Sequence, residues 1–327
     1  MCTALALKSK KDEIIFGRTM DFSYELDPEV YIIPRNYEWV NSFNNFKFTN
    51  PYKIIGTGQN IGKVILVDGI NEMGLGVAAL YFQGEAYFER EPKLKDRITV
   101  GSIEMVNFLL GQCGNVDEVI NILNKIDIVG VEDSITSSVA PLHWFVVDRK
   151  GKCITIEQTK DGLHIYDNPV QVLTNSPNFN WHMTNLKNYI SLSPFQIDQI
   201  KLDKLTLKAF GQGGGFFGMP GDYTSPSRFI RIVFQKNNVE IPDNTLDVIN
   251  TCFNLMKTVS IPKGVVITNR GTSDYTQYTT FMNIATGDYY LNTYYNNQIF
   301  KANINSSNAT EIVSLGKLKR NTTFEHI

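Results

Sequence analysis

The sequence predicts an α+β fold in which antiparallel β-sheets pack against helices. Short apolar runs bounded by turn residues recur over much of the chain, whereas helical periodicity is confined to a few segments. The strand-like runs follow one another directly, instead of alternating with helices as they do in a parallel α/β protein. The chain has 327 residues, 43% of them apolar, and no linker-like stretch, so we expect residues 1–327 to form one domain.

The chain opens with a predicted β-hairpin. Residues 3–7 are apolar, residues 8–12 are polar, and residues 13–18 form a second strand-like run. Because the second strand returns beside the first, Arg18 and Asp21 are expected to lie close to the N-terminus.

The remaining elements are predicted from the same two periodicities. Asn115 is a candidate N-cap for a helix whose apolar positions run from Val116 to Ile126, and residues 103–110 are a candidate second helix. Four strands of an antiparallel meander are expected at 142–147, 153–157, 163–166 and 170–173. A further helix is expected at 181–189, and a last hairpin at 275–284 and 289–295.

Charge and hydropathy exclude several classes of function. The formal net charge of −2 offers no basic surface for nucleic acid or for an anionic membrane. No apolar run approaches the ~20 residues that span a bilayer. The first residues lack the pattern of a secretion signal. We therefore expect a cytoplasmic protein that binds neither nucleic acid nor membrane.

The four cysteines indicate a reducing compartment rather than a disulfide framework. None lies in a C-x-x-C pair or beside histidines at metal-ligand spacing, so zinc and redox-pair sites have no support. Cys113, Cys153 and Cys252 lie in apolar surroundings and are expected to be unreactive packing residues.

Cys2, in Met1-Cys2-Thr3, is the candidate nucleophile. Removal of Met1 would leave one residue with both a thiol, whose pKa is ordinarily about 8.5, and an α-amine, whose pKa is ordinarily near ~8. The amine can then accept the thiol proton, as in N-terminal threonine nucleophiles. The alternative is that Cys2 is an ordinary small residue after the initiator methionine.

An N-terminal nucleophile needs groups that orient the amine, favour the thiolate and hold an oxyanion. The candidates are Arg18 and Asp21 in Gly17-Arg18-Thr19-Met20-Asp21, Asn175 before Ser176-Pro177, and Arg228 in Ser227-Arg228-Phe229. Each has a structural alternative: Arg18 and Asp21 as a surface ion pair, Asn175 as a turn cap, and Arg228 as a helix cap.

The chain resembles a known family, the choloylglycine hydrolases, which include bile salt hydrolases and penicillin V acylases. The resemblance rests on blocks that occur in the same order over nearly the whole chain: Met1-Cys2-Thr3, Gly17-Arg18-Thr19-Met20-Asp21, Asp68-Gly69-Ile70-Asn71-Glu72-Met73-Gly74-Leu75, Thr174-Asn175-Ser176-Pro177, Gly218-Met219-Pro220-Gly221-Asp222-Tyr223-Thr224 and Ser227-Arg228-Phe229.

The resemblance implies an N-terminal nucleophile hydrolase: a four-layer αββα sandwich of two antiparallel sheets, assembled as a homotetramer, that cleaves small N-acyl amides through a thioester. It makes Cys2 the nucleophile and its α-amine the base, with Asp21 binding the amine and Arg18 stabilising the thiolate. The side-chain amide of Asn175 and the backbone N–H of Tyr81 form the oxyanion hole, and Arg228 completes the charge network. No metal or cofactor is required.

The substrate is predicted from the resemblance at one position. Penicillin V acylases carry Tyr where bile salt hydrolases generally carry Asn, and this chain has Tyr81. A phenol there suits the phenoxyacetyl ring of penicillin V, with Phe22, Tyr24 and Phe82 as further aromatic walls unless these rings are simply core. The prediction is therefore a penicillin V acylase that releases phenoxyacetate and 6-aminopenicillanic acid. The alternatives are a bile salt hydrolase, an N-acyl-homoserine lactone acylase and, in a different class, a non-catalytic acyl-binding protein.

The four histidines receive no catalytic role in this interpretation: His143, His164, His182 and His326.

Overall fold

A computed structural model describes residues 1–92, 96–133, 136–318 and 321–322. His326 lies outside the described residues. The strands, in chain order, are β1 (Cys2–Lys8), β2 (Ile14–Phe22), β3 (Glu29–Ile33), β4 (Glu38–Val40), β5 (Lys47–Thr49), β6 (Ile54–Asn60), β7 (Val64–Asn71), β8 (Leu75–Tyr81), β9 (Ile98–Gly101), β10 (Ile126–Val129), β11 (Glu132–Asp133), β12 (Ser138–Val139), β13 (Leu142–Asp148), β14 (Cys153–Thr159), β15 (Gly162–Asp167), β16 (Val172–Leu173), β17 (Gln199–Leu202), β18 (Leu205–Lys208), β19 (Tyr275–Asn283), β20 (Asp288–Thr293), β21 (Asn296–Asn303) and β22 (Val313–Lys317).

The helices of the described chain are fewer and short. The α-helices are α1 (Met105–Gln112), α2 (Val116–Leu123), α3 (Phe179–Asn185), α4 (Ser225–Asn238) and α5 (Thr245–Lys257). The 3₁₀ helices are Ser102–Glu104, Leu186–Tyr189 and Gly214–Phe216. No helix in the described part of the chain is both long and apolar enough to cross a bilayer.

Two large sheets organise the molecule. One has six strands in the order β16-β1-β2-β19-β20-β21, and the other has eight in the order β15-β14-β13-β8-β7-β6-β3-β22. All neighbouring strands in both sheets are antiparallel.

The sheets stack face to face between helices. The rings of Phe16 in the six-stranded sheet and Phe145 in the eight-stranded sheet stack with their centroids 5.7 Å apart, so the two sheets share an apolar interior. Helix α1 packs on β7 and β8, whereas α4 packs on β1 and β16, and α5 on β2 and β19. The layers therefore run helix, sheet, sheet, helix, which confirms the predicted αββα fold.

Most predicted elements are present, with three differences. The hairpin is β1 and β2, and Asn115 caps α2 by accepting a hydrogen bond from the Glu118 N–H at 3.1 Å. Ile126 does not end that helix but begins β10, which pairs in parallel with β9. The helix expected at 181–189 begins at Phe179, because Asn178 caps it, and continues after Asn185 as a 3₁₀ turn.

The pairing predicted for the fourth strand of the meander is wrong. Strands β13, β14 and β15 form the meander, but the chain then turns between Asn168 and Gln171, where Gln171 adopts a φ of 52°. Strand β16 crosses to the other sheet and pairs with β1, Ala4 opposite Leu173. This crossing carries residue 175 to the N-terminus.

Candidate active site

Cys2 lies at the first position of β1, and the register of the hairpin brings Arg18 and Asp21 on β2 close to it. Cys2 pairs with Met20 and Ala4 with Arg18 across the two strands. The Arg18 Nη2 donates to the Cys2 Sγ at 2.6 Å. Arg18 is two positions from Met20, the residue opposite Cys2, and such diagonal neighbours lie within reach of a long side chain, so this contact follows from the hairpin alone.

Arg18 is fully buried and held from both sheets. Its Nη1 donates to the Ala79 carbonyl in β8 at 2.7 Å, and its Nε donates to the Thr19 carbonyl at 3.0 Å. Burial disfavours the charged guanidinium, but the electrostatic interactions of Arg18 with Cys2 and with nearby acidic groups outweigh burial and raise the pKa of Arg18. A fixed cation at the sulfur favours the thiolate.

Asp21 is also fully buried, one strand position beyond Met20. Its carboxylate accepts hydrogen bonds from Thr276 Oγ1 at 2.6 Å and Thr19 Oγ1 at 3.1 Å. Burial raises the pKa of Asp21, and the Arg228 guanidinium, 3.9 Å from Oδ2, opposes that rise.

Met1 is bonded to Cys2 in this structure, so the Cys2 nitrogen is an amide. This N–H donates to Asn175 Oδ1 at 2.8 Å. The Met1 ammonium donates to the Asp21 carbonyl at 2.6 Å and lies 3.4 Å from Asp274 Oδ2. Removal of Met1 would place the α-amine next to Asn175 Oδ1, within the same buried group of polar residues.

Arg228 connects Cys2 to Asn175. It lies in the first turn of α4, and its fully buried Nη1 donates to the Cys2 carbonyl at 2.5 Å and to Thr3 Oγ1 at 2.6 Å. Its Nη2 donates to Asn175 Oδ1 at 2.6 Å. Burial lowers the pKa of Arg228. The position is thus not a helix cap but a bridge between α4 and β1.

The Asn175 side chain points toward Tyr81, where its Nδ2 donates to the Tyr81 carbonyl at 2.7 Å. The second Nδ2 hydrogen remains available to a ligand, since an amide nitrogen carries two donors. The Asn175 N–H donates to Ser225 Oγ at 2.9 Å, which anchors the segment to the start of α4.

Two buried histidines that the sequence left without a role brace this segment. His182 Nε2 lies 2.8 Å from the Asn175 carbonyl, and His143 Nε2 lies 3.1 Å from the Thr174 carbonyl. Burial lowers the pKa of His182 to about 4, so its ring is neutral and its Nε2–H donates. His143 also contacts the buried Glu157 at 3.2 Å through Nδ1. In the sequence, His143 precedes Trp144 and His182 follows Trp181, and neither neighbour indicates which groups the histidines contact.

Three aromatic rings form a partition beside Cys2. The Phe22 ring centroid is 5.5 Å from those of both Tyr24 and Tyr81. The structure does not bring Phe82 to this wall. Its ring is fully buried and stacks on His143 with centroids 4.4 Å apart, because successive side chains at the end of β8 point in opposite directions.

The partition separates two spaces. An inner cavity of about 130 Å³ is bounded by Cys2, Arg18 and mainly apolar side chains, among them Met20, Leu66, Ile103 and Leu142. An outer cleft of about 690 Å³ is bounded by polar groups that include Asn175, Arg270 and Asp274. Phe22 and Tyr81 belong to the walls of both. Cys2 thus lies at the wall of the inner cavity, and Asn175 lies at the wall of the outer cleft.

No three His, Cys, Asp or Glu side chains among the described residues come together as metal ligands. The other cysteines are unpaired and buried, and burial raises the pKa of all three, to about 12 for Cys113. The expectation of unreactive packing residues agrees with these surroundings.

The two stacked antiparallel sheets, with a cysteine at the start of an inner strand, define an N-terminal nucleophile hydrolase fold. The profile of the linear amide C–N hydrolases, choloylglycine hydrolase family, matches residues 2–315. The chain is 37% identical over 310 residues to the bile salt hydrolase/transferase of Clostridium perfringens, covering 94% of each chain. This protein belongs to the choloylglycine hydrolase family and is a hydrolase of linear amides.

Solved structures agree with this assignment. The crystal structure of the C2A variant of the conjugated bile acid hydrolase from Clostridium perfringens matches with a TM-score of 0.93 and 35% identity over 100% of both chains. The penicillin V acylase from Agrobacterium tumefaciens matches with a TM-score of 0.76 and 20% identity, covering 93% of this chain and 87% of that one, and so shares the fold.

Proposed function

We propose that this amidohydrolase works through Cys2, after removal of Met1, as a single domain without a metal or cofactor. The observation that carries the proposal is the 2.6 Å contact between the Cys2 sulfur and the buried Arg18 guanidinium at the wall of an apolar cavity. The other three charged or amide groups predicted from the sequence, Asp21, Asn175 and Arg228, lie in the same buried hydrogen-bond network.

The reaction starts when the Cys2 thiolate attacks the amide carbonyl carbon and forms the C–S bond. Arg18 holds the thiolate before the attack, and the α-amine, kept in place by Asn175 Oδ1 and the nearby Asp21, takes up the thiol proton. The free Nδ2–H of Asn175 and the backbone N–H of Tyr81 stabilise the negative charge on the carbonyl oxygen.

Collapse of this intermediate breaks the C–N bond. The α-ammonium gives its proton to the departing nitrogen, the amine leaves, and the acyl group remains as a thioester on Cys2. Water activated by the α-amine then attacks the thioester, which breaks the C–S bond and releases the carboxylic acid. Arg228 keeps the Cys2 carbonyl and Asn175 in register through both steps.

The mechanism is tested by trapping the thioester. Protein shown by mass to lack Met1 is mixed with substrate, quenched in acid and digested. The peptide that begins at Cys2 should gain the mass of the acyl group. Protein that retains Met1 should not turn over, because its Cys2 nitrogen is an amide and cannot act as a base. Turnover by the Met1-containing chain, or acylation elsewhere, would contradict the proposal.

Conjugated bile salts are the first proposed substrates. The support is that relatives of 31–37% identity over 90–96% of this chain carry the name bile salt hydrolase/transferase. The mainly apolar lining of the inner cavity suits an apolar acyl group, and the polar groups of the outer cleft suit a charged amine.

Penicillin V is the second candidate, favoured by Tyr81, whose ring forms part of the partition. The sequence-based preference for this substrate stays a prediction. Taurocholate and penicillin V at equal concentration, with released taurine and 6-aminopenicillanic acid counted, distinguish the two. Release of neither, with cleavage of an N-acyl-homoserine lactone, would indicate the third class, and no turnover at all would leave an acyl-binding protein.

We also propose a cytoplasmic homotetramer. The hairpin of β17 and β18 is exposed along all its residues and presents Ile200, Leu202, Leu205 and Leu207 to solvent. An apolar patch of this kind marks an interaction site in proteins of this size. Light scattering should give four chains per particle, and a monomer would contradict the assembly.

A further inference from the structure

We propose that Arg270 recognises a negatively charged group on the amine half of the substrate. The enzyme would then prefer N-acyl amides whose amine carries a carboxylate or sulfonate, two oxyanions that a guanidinium binds in the same way. This inference rests on the proposed function, because it assumes that the scissile amide lies at Cys2.

The position of Arg270 follows from the two spaces on either side of the partition. The inner cavity contains the sulfur and is mainly apolar, whereas the outer cleft contains Asn175 and Arg270. If the carbonyl carbon sits at the sulfur and the acyl group fills the inner cavity, the amine half must extend into the outer cleft. Arg270 is the arginine that lines that cleft in the described chain.

The guanidinium is held in place without being neutralised. Its Cζ lies 4.6 Å from the centroid of the Tyr24 ring, and its Nη2 donates to Ser23 Oγ at 2.7 Å. Among the described residues, no carboxylate lies within ion-pair distance of it. An arginine has five N–H donors, so a stacked guanidinium that donates to Ser23 keeps several donors for a ligand.

The acidic groups of the cleft do not occupy this cation. Asp274 lines the same cleft, but its Oδ2 lies 3.4 Å from the Met1 ammonium and therefore faces the N-terminus. Its Oδ1 is buried without a hydrogen-bond partner among the described residues. After Met1 leaves, Asp274 faces the region where the released amine gains its proton, while Arg270 remains the cation for the acidic end of that amine.

The charge of Arg270 also reaches the partition. Burial raises the pKa of the Tyr81 phenol, Asp133 adds to the rise, and Arg270 opposes it. A cation close enough to act on Tyr81 is close to the path that the amine half takes from the sulfur. Arg270 is thus a specificity residue of the outer cleft, and it is not part of the buried hydrogen-bond network around Cys2.

Three amides that share one acyl group test the proposal: the glycine, taurine and glycinamide conjugates of cholic acid, or of phenoxyacetic acid if that acyl group is cleaved faster. Glycinamide is the neutral counterpart of glycine and has nearly the same size. Arg270→Gln removes the charge, and Arg270→Lys keeps it without the planar fork. Lys263→Gln is the matched control, since Lys263 lies in the same segment but pairs with Glu25 at 3.2 Å and is not part of the cleft wall.

Arg270→Gln should lower kcat/KM for the glycine and taurine conjugates about tenfold or more, mainly through KM, because a hydrogen bond to a charged group is lost. The glycinamide conjugate should change less than about twofold, within the spread of surface substitutions. Arg270→Lys should be intermediate, and Lys263→Gln should match the wild type.

An equal loss on all three conjugates would overturn the proposal and make Arg270 a structural part of its loop. Unchanged kinetics on the glycine and taurine conjugates would also overturn it. A loss confined to one of these two would support it and identify carboxylate or sulfonate as the preferred group. A wild-type protein that cleaves none of the conjugates would instead refute the proposed function, and the role of Arg270 with it.

Discussion

The floor of the site, formed by Arg18, Asp21 and Arg228 around Cys2, and its mouth, formed by the loop that carries Ile267 and Arg270, are built differently. At the floor, Arg18, Asp21 and Arg228 have no exposed surface and take partners from both sheets and from α4. At the mouth, Arg270 is exposed and bonds to neighbouring loop residues, while Ile267 is 57% exposed. Under the proposed mechanism, strand register therefore places the groups that act on the amide, whereas an exposed loop carries the arginine proposed to select the substrate.

This contrast predicts two kinds of variant. A change at the floor should lower kcat on every amide alike, since all substrates share the attack at sulfur. A change at the mouth should alter the ratio between substrates and leave the common step intact.

The largest effect is expected for Cys2→Ser. An alkoxide is much harder to generate at neutral pH than a thiolate, so turnover should fall about 10⁴-fold or more on every substrate. Turnover is measured as the rate at which protein that lacks Met1 releases amine from the substrate. Cys113→Ser is the control, since that thiol is buried away from the site. Near-normal turnover of the serine variant would refute the thiolate mechanism.

Asn175→Ala is the next floor variant. Loss of one oxyanion donor lowers kcat by about 10²–10³-fold. The loss should be the same for a bile salt and for penicillin V, measured as kcat at saturation. Asn188→Ala, an exposed asparagine on the following 3₁₀ turn, should behave as the wild type. A loss on only one substrate would place Asn175 among the residues that select substrate.

Asp68→Asn tests a buried carboxylate next to the floor of the site, and the quantity measured is the free energy of unfolding. Asp68 is fully buried, accepts a hydrogen bond from the Tyr289 hydroxyl, and interacts electrostatically with Arg18. Burial raises its pKa from 3.8 to about 6, so the folded protein binds a proton that the unfolded chain has lost between those values. Its contribution to stability therefore falls as pH rises through that window, by about 3 kcal/mol.

The asparagine side chain of this variant has no such titration. Urea unfolding at several pH values between 4 and 7 should show the variant gaining stability over the wild type by roughly that amount as the pH rises. Asp161→Asn, an exposed turn residue, should leave the pH dependence unchanged. A difference that stays constant with pH would show that Asp68 titrates normally.

Tyr81→Asn is the smallest expected change and belongs to the mouth. The backbone N–H proposed for the oxyanion hole is present in any residue but proline, so catalysis should persist. Loss of the ring beside Phe22 should move the preference from penicillin V toward conjugated bile salts by about 2–10-fold, the value of an aromatic contact. Tyr87→Asn, at an exposed aromatic outside both spaces, should not change the ratio.

The sequence predicted the floor better than the mouth. The hairpin of β1 and β2 is local, so the proximity of Cys2, Arg18 and Asp21 followed from strand pairing over the first 22 residues. Asn175 and Arg228 were found through ordered motifs, not through geometry. The aromatic wall was partly wrong, because periodicity at a strand end did not show that Phe82 turns away from Tyr81.

By itself, then, the sequence determined the fold class, because strand periodicity and short-range pairing are written in neighbouring residues, and its motifs predicted Cys2 as the nucleophile together with the residues around it. Only the tertiary structure decided that β16 leaves the meander and brings Asn175 to Cys2, that His143 and His182 brace that segment, and that Arg270 stacks on Tyr24 beside the cleft. These contacts join residues far apart in the chain, and they depend on how two sheets and their loops pack, which local patterns do not encode.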